Sequence, residues 1–383
     1  MQISSRGTVA PFIAMDVMAE AGALERAGRD IVRMEIGQPG EPAPRAAREA
    51  AARALAEEPL GYTEALGLPA LRERVARRYR ERHGVEVAPE RVAITAGSSA
   101  GFLLAFTALF DAGARVAIAD PSYPAYRNIL HALGLRLARI EATAETRFQP
   151  SPQSLANASR LGRLDGVLAA SPANPTGAMI GRDAMIDLVE ECQRIGAAFI
   201  SDEIYHGVEF GAPAVSALEI THDAVVVNSF SKYFRMTGWR IGWMVAPEPL
   251  IPAIERLAQN LYICPPHVSQ VAALDALDAE EELQETVRRY ARNRDLLLEE
   301  LPRAGLDGLA PCDGAFYLYA DVSGLTGDSR AFCDRMLREA GVAATPGVDF
   351  DPARGGRWVR FSFAGPSERI AEGAARLKGW LGR

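Results

Sequence analysis

The 383-residue sequence predicts an α/β fold, with a large unit built on a mainly parallel sheet between helices and a smaller α/β unit beside it. Three observations carry this expectation. Short apolar or β-branched runs alternate with helical patterns through the middle of the chain. After about residue 250 the pattern changes to long charged helices followed by short mixed strands. At 48% hydrophobic and 24% charged residues, the chain can bury a large core yet is too long for one compact core, so two packed units are expected.

The amino-terminal stretch MQISSRGTVAPFIAMDVMAEAG is weakly apolar and interrupted by Asp16 and Glu20. It reads neither as an export signal nor as a membrane span. GQPGEPAP, ending at Pro44, reads as a crossing linker, so both chain ends are expected to build the smaller unit. The division expected is 1–45 for an arm and part of the small unit, 46–278 for the large unit and 279–383 for the rest of the small one. Strands are expected at Val92 to Thr95, Arg115 to Ala119, Gly166 to Ser171, Ala198 to Asp202, Ala224 to Ser229 and Trp239 to Val245. Between the first two, Phe102, Leu103, Phe106, Leu109 and Phe110 recur at helical spacing until Asp111, Ala112 and Gly113 end the run. A long charged helix follows from Ala279 to Leu301, then strands at Ala315 to Ala320 and Trp358 to Phe363.

A net charge of −7 argues against nucleic acid or an anionic membrane as the main partner, because both demand a dense basic face. Cys192, Cys264, Cys312 and Cys333 lie far apart, without zinc-like spacing, which suits a reducing cytoplasm and no metal. Lysine stands only at Lys232 and Lys378, and every other basic residue except histidine is arginine. Such a chain keeps lysine where arginine fails, and arginine fails wherever a neutral amine must act as nucleophile. Lys378, in the tail AARLKGW, reads equally well as an accident of composition.

Gly97-Ser-Ser-Ala-Gly101 matches G-x-S-x-G between an expected strand and helix, the setting of a hydrolase nucleophile elbow at Ser99. That reading needs a later acid and histidine, yet the last histidine is His267 and no HGGG-like segment precedes the motif. The same loop suits an anion, with backbone N–H groups and serine hydroxyls at a helix start. Three further loops follow apolar strands: Ser171-Pro-Ala-Asn-Pro-Thr-Gly177, Asp202-Glu-Ile-Tyr205 and Asn228-Ser-Phe-Ser-Lys232, with Met236-Thr-Gly-Trp-Arg240 just beyond. Each places polar groups past the carboxyl end of a buried strand, where open α/β sheets bind ligands.

Taken in order, these motifs resemble the class I/II aminotransferases of pyridoxal-phosphate fold type I, from IGQPG near residue 37 through GYTEALGLPALRE, NPTG, SDEIY and SFSKYFRMTGWRIGW to VRFSFA. The resemblance implies a seven-stranded large-unit sheet and pyridoxal 5′-phosphate held as a Schiff base on Lys232. Asp202 would pair with the ring nitrogen, Tyr205 and Asn174 would hydrogen-bond the phenolic oxygen, and Tyr123 would stack on the ring. Ser98, Ser99, Ser229 and Arg240 would hold the phosphate, joined by Tyr62 of a neighbouring subunit, which implies a homodimer. Arg360 would grip the substrate α-carboxylate, with Gly37 and Asn174 beside it.

The implied reaction moves an amino group from an L-amino acid to a 2-oxo acid by a ping-pong route in amino-acid metabolism. Leu261 to Ser269, where some members place a second cation for dicarboxylates, holds no Arg or Lys, so a neutral or aromatic donor is expected over aspartate. A lyase on the same scaffold is the alternative. A DNA-binding regulator would need a domain before the fold and is discounted. The resemblance also suggests cis bonds at Asp120-Pro121 and Asn174-Pro175.

Overall fold

The computed structural model describes residues 2–382. In chain order its strands are β1 (Val32–Arg33), β2 (Val92–Thr95), β3 (Arg115–Asp120), β4 (Arg136–Glu141), β5 (Gly166–Ala170), β6 (Ala198–Asp202), β7 (Val225–Ser229), β8 (Gly242–Val245), β9 (Gly308–Leu309), β10 (Tyr317–Asp321), β11 (Val342–Ala343), β12 (Thr345–Pro346) and β13 (Trp358–Ser362). Seven of these form one sheet in the order β2-β8-β7-β6-β5-β3-β4, parallel throughout except at β8, which runs antiparallel to both neighbours. The expected mainly parallel seven-stranded sheet is therefore present.

Both faces of this sheet are covered, which is why its central strands read as unbroken apolar runs. Val116, Ile118, Leu168, Ile200, Val225 and Val227 pack on one face with Phe102 and Phe106 of the helix Ser98–Leu109. Ala117, Val167, Phe199, Val226, Trp243 and Val245 pack on the other. The edge strand β4 does not appear among the apolar runs of the sequence, and its composition explains why. Its residues Arg136, Arg139 and Glu141 are exposed while Ala138 and Ile140 are buried, the alternation of a strand with one wet face.

The run expected from Trp239 also divides. Trp239 closes a 3₁₀ turn, Arg240 takes a left-handed φ of 51°, and β8 begins only at Gly242. A Cβ at Gly242 would lie 2.8 Å from the Asn228 carbonyl oxygen and 3.1 Å from the Ser98 nitrogen, so the strand can enter here only on glycine.

The smaller sheet, order β12-β13-β10-β9, is antiparallel. Beside it β1 pairs in parallel with β11, Val32 opposite Val342, so the amino-terminal strand is completed by the carboxyl-terminal region. The helix Glu280–Arg303 carries Glu280, Glu281 and Glu282 in its first turn and Arg303 in its last, the charge order that suits a helix dipole. Among the described residues no helix is long and apolar enough to cross a membrane.

Candidate active site

Loops from the carboxyl ends of β2, β3, β5, β6 and β7 converge on a cavity of about 250 Å³, closed from above by the amino-terminal segment and by Tyr317 and Arg360 of the smaller sheet. Ten residues named from the sequence line it: Gly37, Ser98, Ser99, Tyr123, Asn174, Asp202, Tyr205, Lys232, Arg240 and Arg360.

Lys232 stands three residues beyond β7, and its Nζ donates to the Gly37 carbonyl oxygen at 2.5 Å. Desolvation, reinforced by the positive charges of Arg360 and Arg240, brings its ammonium from 10.5 down to about 8, with Asp202 opposing. About one amine in ten is then neutral at pH 7. Asp202, the last residue of β6, has the reverse problem. Burial pushes its carboxyl up to about 6, resisted by hydrogen bonds from the Tyr126 hydroxyl and the Ile204 N–H and by the charge of Lys232. The Tyr205 hydroxyl shares a 2.7 Å hydrogen bond with that of Tyr317, and burial holds its phenol well above the ordinary range.

Arg360 is fixed on β13. Its Nη1 donates to Asn174 Oδ1 at 2.9 Å, its Nη2 to the Glu35 carbonyl oxygen at 2.6 Å and to Thr345 Oγ1 at 3.1 Å. The guanidinium lies 4.4 Å from the Tyr317 ring centre and 4.7 Å from that of Phe350, yet its Nε is buried with no hydrogen-bond partner. Leaving such a buried donor unmade costs free energy. Tyr123, beginning the helix Pro124–Leu133, sets its ring 5.5 Å from Phe12 and 5.4 Å from Tyr126. The bonds Asp120-Pro121 and Asn174-Pro175 are cis as expected, and Ser171-Pro172 is cis as well.

At the opposite end Gly97 takes φ 83° and the helix Ser98–Leu109 starts immediately, so its first N–H groups and two hydroxyls open toward Arg240. A Cβ at Gly97 would run into the Arg240 guanidinium, so glycine is what lets fork and helix start face one anion. None of the five histidines lines the cavity that holds Ser99, so the hydrolase reading of G-x-S-x-G gives way to an anion cradle.

Two named residues lie elsewhere. Ser229 is buried one step behind the wall, its Oγ accepting from the Ser231 N–H at 3.0 Å, and Ser231 lines the cavity in its place. Tyr62 is 82% exposed and outside this cavity. The sequence reading missed Tyr126, Tyr317, Phe12, Met15, Glu35 and Ile36, all in the wall. Only Tyr126 had a signal, one helical turn after Tyr123.

The family model described as aminotransferase class I and II matches residues 29–377. A valine–pyruvate aminotransferase of Mycobacterium tuberculosis is 50% identical over 99% of this chain and 98% of its own length. A crystal structure of an aminotransferase from the same organism superposes with a TM-score of 0.97, at 50% identity, covering 100% of this chain and 99% of the other. An aspartate aminotransferase from Thermus thermophilus, solved with maleate, gives a TM-score of 0.92 at 32% identity, with 99% of each chain covered.

Proposed function

The chain belongs to the aminotransferase class I and II family and is an aminotransferase, and we propose that it carries pyridoxal 5′-phosphate on Lys232 and transfers the amino group of a neutral L-amino acid to a 2-oxo acid such as pyruvate. The observation that carries the cofactor reading is the presence, in one cavity, of a lysine amine brought down to about 8, a buried aspartate and an anion cradle. When bound, the cofactor ring would serve as an electron sink for the bonds at the donor α-carbon.

The chain's own residues divide the remaining work. Lys232 is the amine that holds the cofactor and then moves the α-proton, because only a neutral amine does both. Asp202 accepts from the ring nitrogen and keeps its proton in place. Tyr205 and Asn174 hydrogen-bond the phenolic oxygen, and Tyr123 covers a ring face. Ser98, Ser99 and Arg240 receive the phosphate, with Ser231 lining the cavity where Ser229 was expected, and the partner's Tyr62 completes the set, which makes the working unit a homodimer with shared sites. Arg360 fixes the donor α-carboxylate beside Gly37 and Asn174. Residues 46–278 then form the cofactor unit, with 1–45 and 279–383 as the smaller unit. Four unpaired cysteines support a reducing compartment, the cytoplasm.

The donor class follows from charge. Among the described residues lining the cavity the cations are Lys232, Arg240 and Arg360, each already engaged, which leaves none for a side-chain carboxylate. The name of the 50%-identical relative supports the same choice. A donor screen with pyruvate tests it: valine or another uncharged amino acid should exceed aspartate in kcat/KM by about tenfold. Aspartate ranking first would overturn it.

A further inference from the structure

Glu35 lines the cavity and has no part in the chemistry above. Its side chain is fully buried; Oε1 accepts from Arg33 Nη1 at 2.7 Å, while Oε2 is buried with no hydrogen-bond partner. The pairing with Arg33 is itself divided, because Arg33 Nε also lies 3.2 Å from Glu25. One guanidinium therefore serves two carboxylates, and burial pushes the Glu35 carboxyl above its ordinary range. Leaving a buried carboxylate oxygen unpaired costs free energy, so its position calls for a compensating role.

The contacts around it say where that carboxylate sits. Val32 and Met34 pack against Gly373 of the helix Ser367–Leu381, while Arg33 Nη1, which holds Glu35 Oε1, also donates to the Met18 carbonyl oxygen at 3.1 Å on the helix Ile13–Arg26. Met15 of that helix and Ile36 line the cavity beside Glu35. The Glu35 backbone oxygen accepts from Arg360, so the carboxylate belongs to the residue next to the proposed α-carboxylate grip.

We propose that Glu35 is a specificity-determining residue for the amino donor, whose carboxylate turns away side chains ending in a carboxylate and accepts those that are apolar or end in a hydrogen-bond donor. This rests on the reading that Arg360 holds the donor α-carboxylate. Like charges in a water-poor wall repel far more than in solvent, so a donor carboxylate is penalised where an uncharged side chain of the same size is not.

Glutamine and glutamate separate this cleanly, since they match in size and differ in the terminal group. With pyruvate as acceptor, the ratio of kcat/KM for glutamine to that for glutamate is measured in the wild type and in E35Q, which keeps the side-chain volume and a contact for Arg33. The ratio should fall by at least about tenfold in E35Q. A bracing role for Glu35 lowers both donors together, and an unchanged ratio overturns the proposal. If E35Q does not fold, the doubly neutral R33M/E35Q variant, which removes the whole pair, is read in the same way. The neutral-donor reading stands or falls on the wild-type donor ranking, whereas Glu35 is judged by the change of ratio whichever donor ranks first.

Discussion

The two ends of the cavity are held in different ways. At the deep end Asp202 closes β6 and Lys232 follows β7, adjacent parallel strands of a sheet buried on both faces, and each polar atom has a backbone or tyrosine partner. At the outer end Phe12, Met15, Glu35 and Ile36 come from the amino-terminal helix and linker, Arg360 comes from the small antiparallel sheet, and two buried polar atoms, Arg360 Nε and Glu35 Oε2, lack partners. The deep end is preorganised for a group that stays, while the outer end is assembled from distant parts of the chain and leaves polar atoms unmatched. Chemistry common to every donor would then reside in the sheet, and choice among donors in the packing of the chain ends against it.

The hardest test of that division removes the amine. Lys232→Arg keeps the positive charge and loses the neutral nucleophile, so transfer should fall on the order of 10⁴-fold or more for every donor alike. In the wild type, borohydride reduction and peptide mapping should place the pyridoxyl group on Lys232; a label on Lys378 would end the assignment. A smaller loss is expected at the outer end. Arg360→Ala should lower kcat/KM for all α-amino acids by about 10- to 150-fold, the equivalent of about 1.5–3 kcal/mol for hydrogen bonds to a charged group. An effect confined to one donor would move Arg360 from common grip to side-chain selector.

The same contrast explains what the sequence disclosed. Strands that end at the site are uniform apolar runs followed by short polar loops, so β2, β3, β5, β6 and β7, and with them Asp202, Asn174 and Lys232, were legible from local pattern. The edge strand β4 was not, because half of its side chains face water. Phe12, Met15 and Glu35 escaped for a different reason: they reach the cavity only through long-range packing, as when Asp349 accepts from the Ile13 and Ala14 N–H groups at 3.3 and 3.1 Å and pins the start of the amino-terminal helix. No periodicity along the chain encodes such a contact. Tyr317 lies in an apolar strand, and nothing in its neighbours marks its hydroxyl as the partner of Tyr205.

Tyr126 sharpens the account of the deep end. Its hydroxyl hydrogen-bonds Asp202, so Tyr126→Phe should let the carboxyl rise beyond about 6 and weaken cofactor affinity by about tenfold. The sign is fixed by which form binds. The carboxylate that accepts from the ring nitrogen is present above its pKa and lost as pH falls through it, so acid release of cofactor should begin at a higher pH in the variant. Equilibrium dialysis of pyridoxal phosphate between pH 5 and pH 8 reads this without turnover. Coincident curves for both proteins would show that the Ile204 N–H and Lys232 suffice.

The smallest effect concerns Tyr62, the one proposed cofactor ligand that this chain does not bring to its own cavity. Tyr62 is 82% exposed in the single chain, an unusual setting for a large aromatic residue in a segment where the neighbouring Ala65 and Leu66 are buried. If the partner's Tyr62 donates to the phosphate, it joins Ser98, Ser99 and Arg240, which already face that position, so Tyr62→Phe should weaken cofactor binding only about three- to tenfold. The more decisive consequence is exchange between subunits. A Lys232→Ala chain keeps a sound Tyr62 and a Tyr62 variant keeps a sound Lys232, so mixed dimers refolded from both should hold one site with both residues intact. Cofactor affinity at that site should return to the wild-type value, and activity should rise above that of either parent. Mixed dimers that bind no better than the Tyr62 variant alone, or an enzyme fully active as a monomer at high dilution, would confine the whole site to one chain and leave the exposure of Tyr62 to another cause.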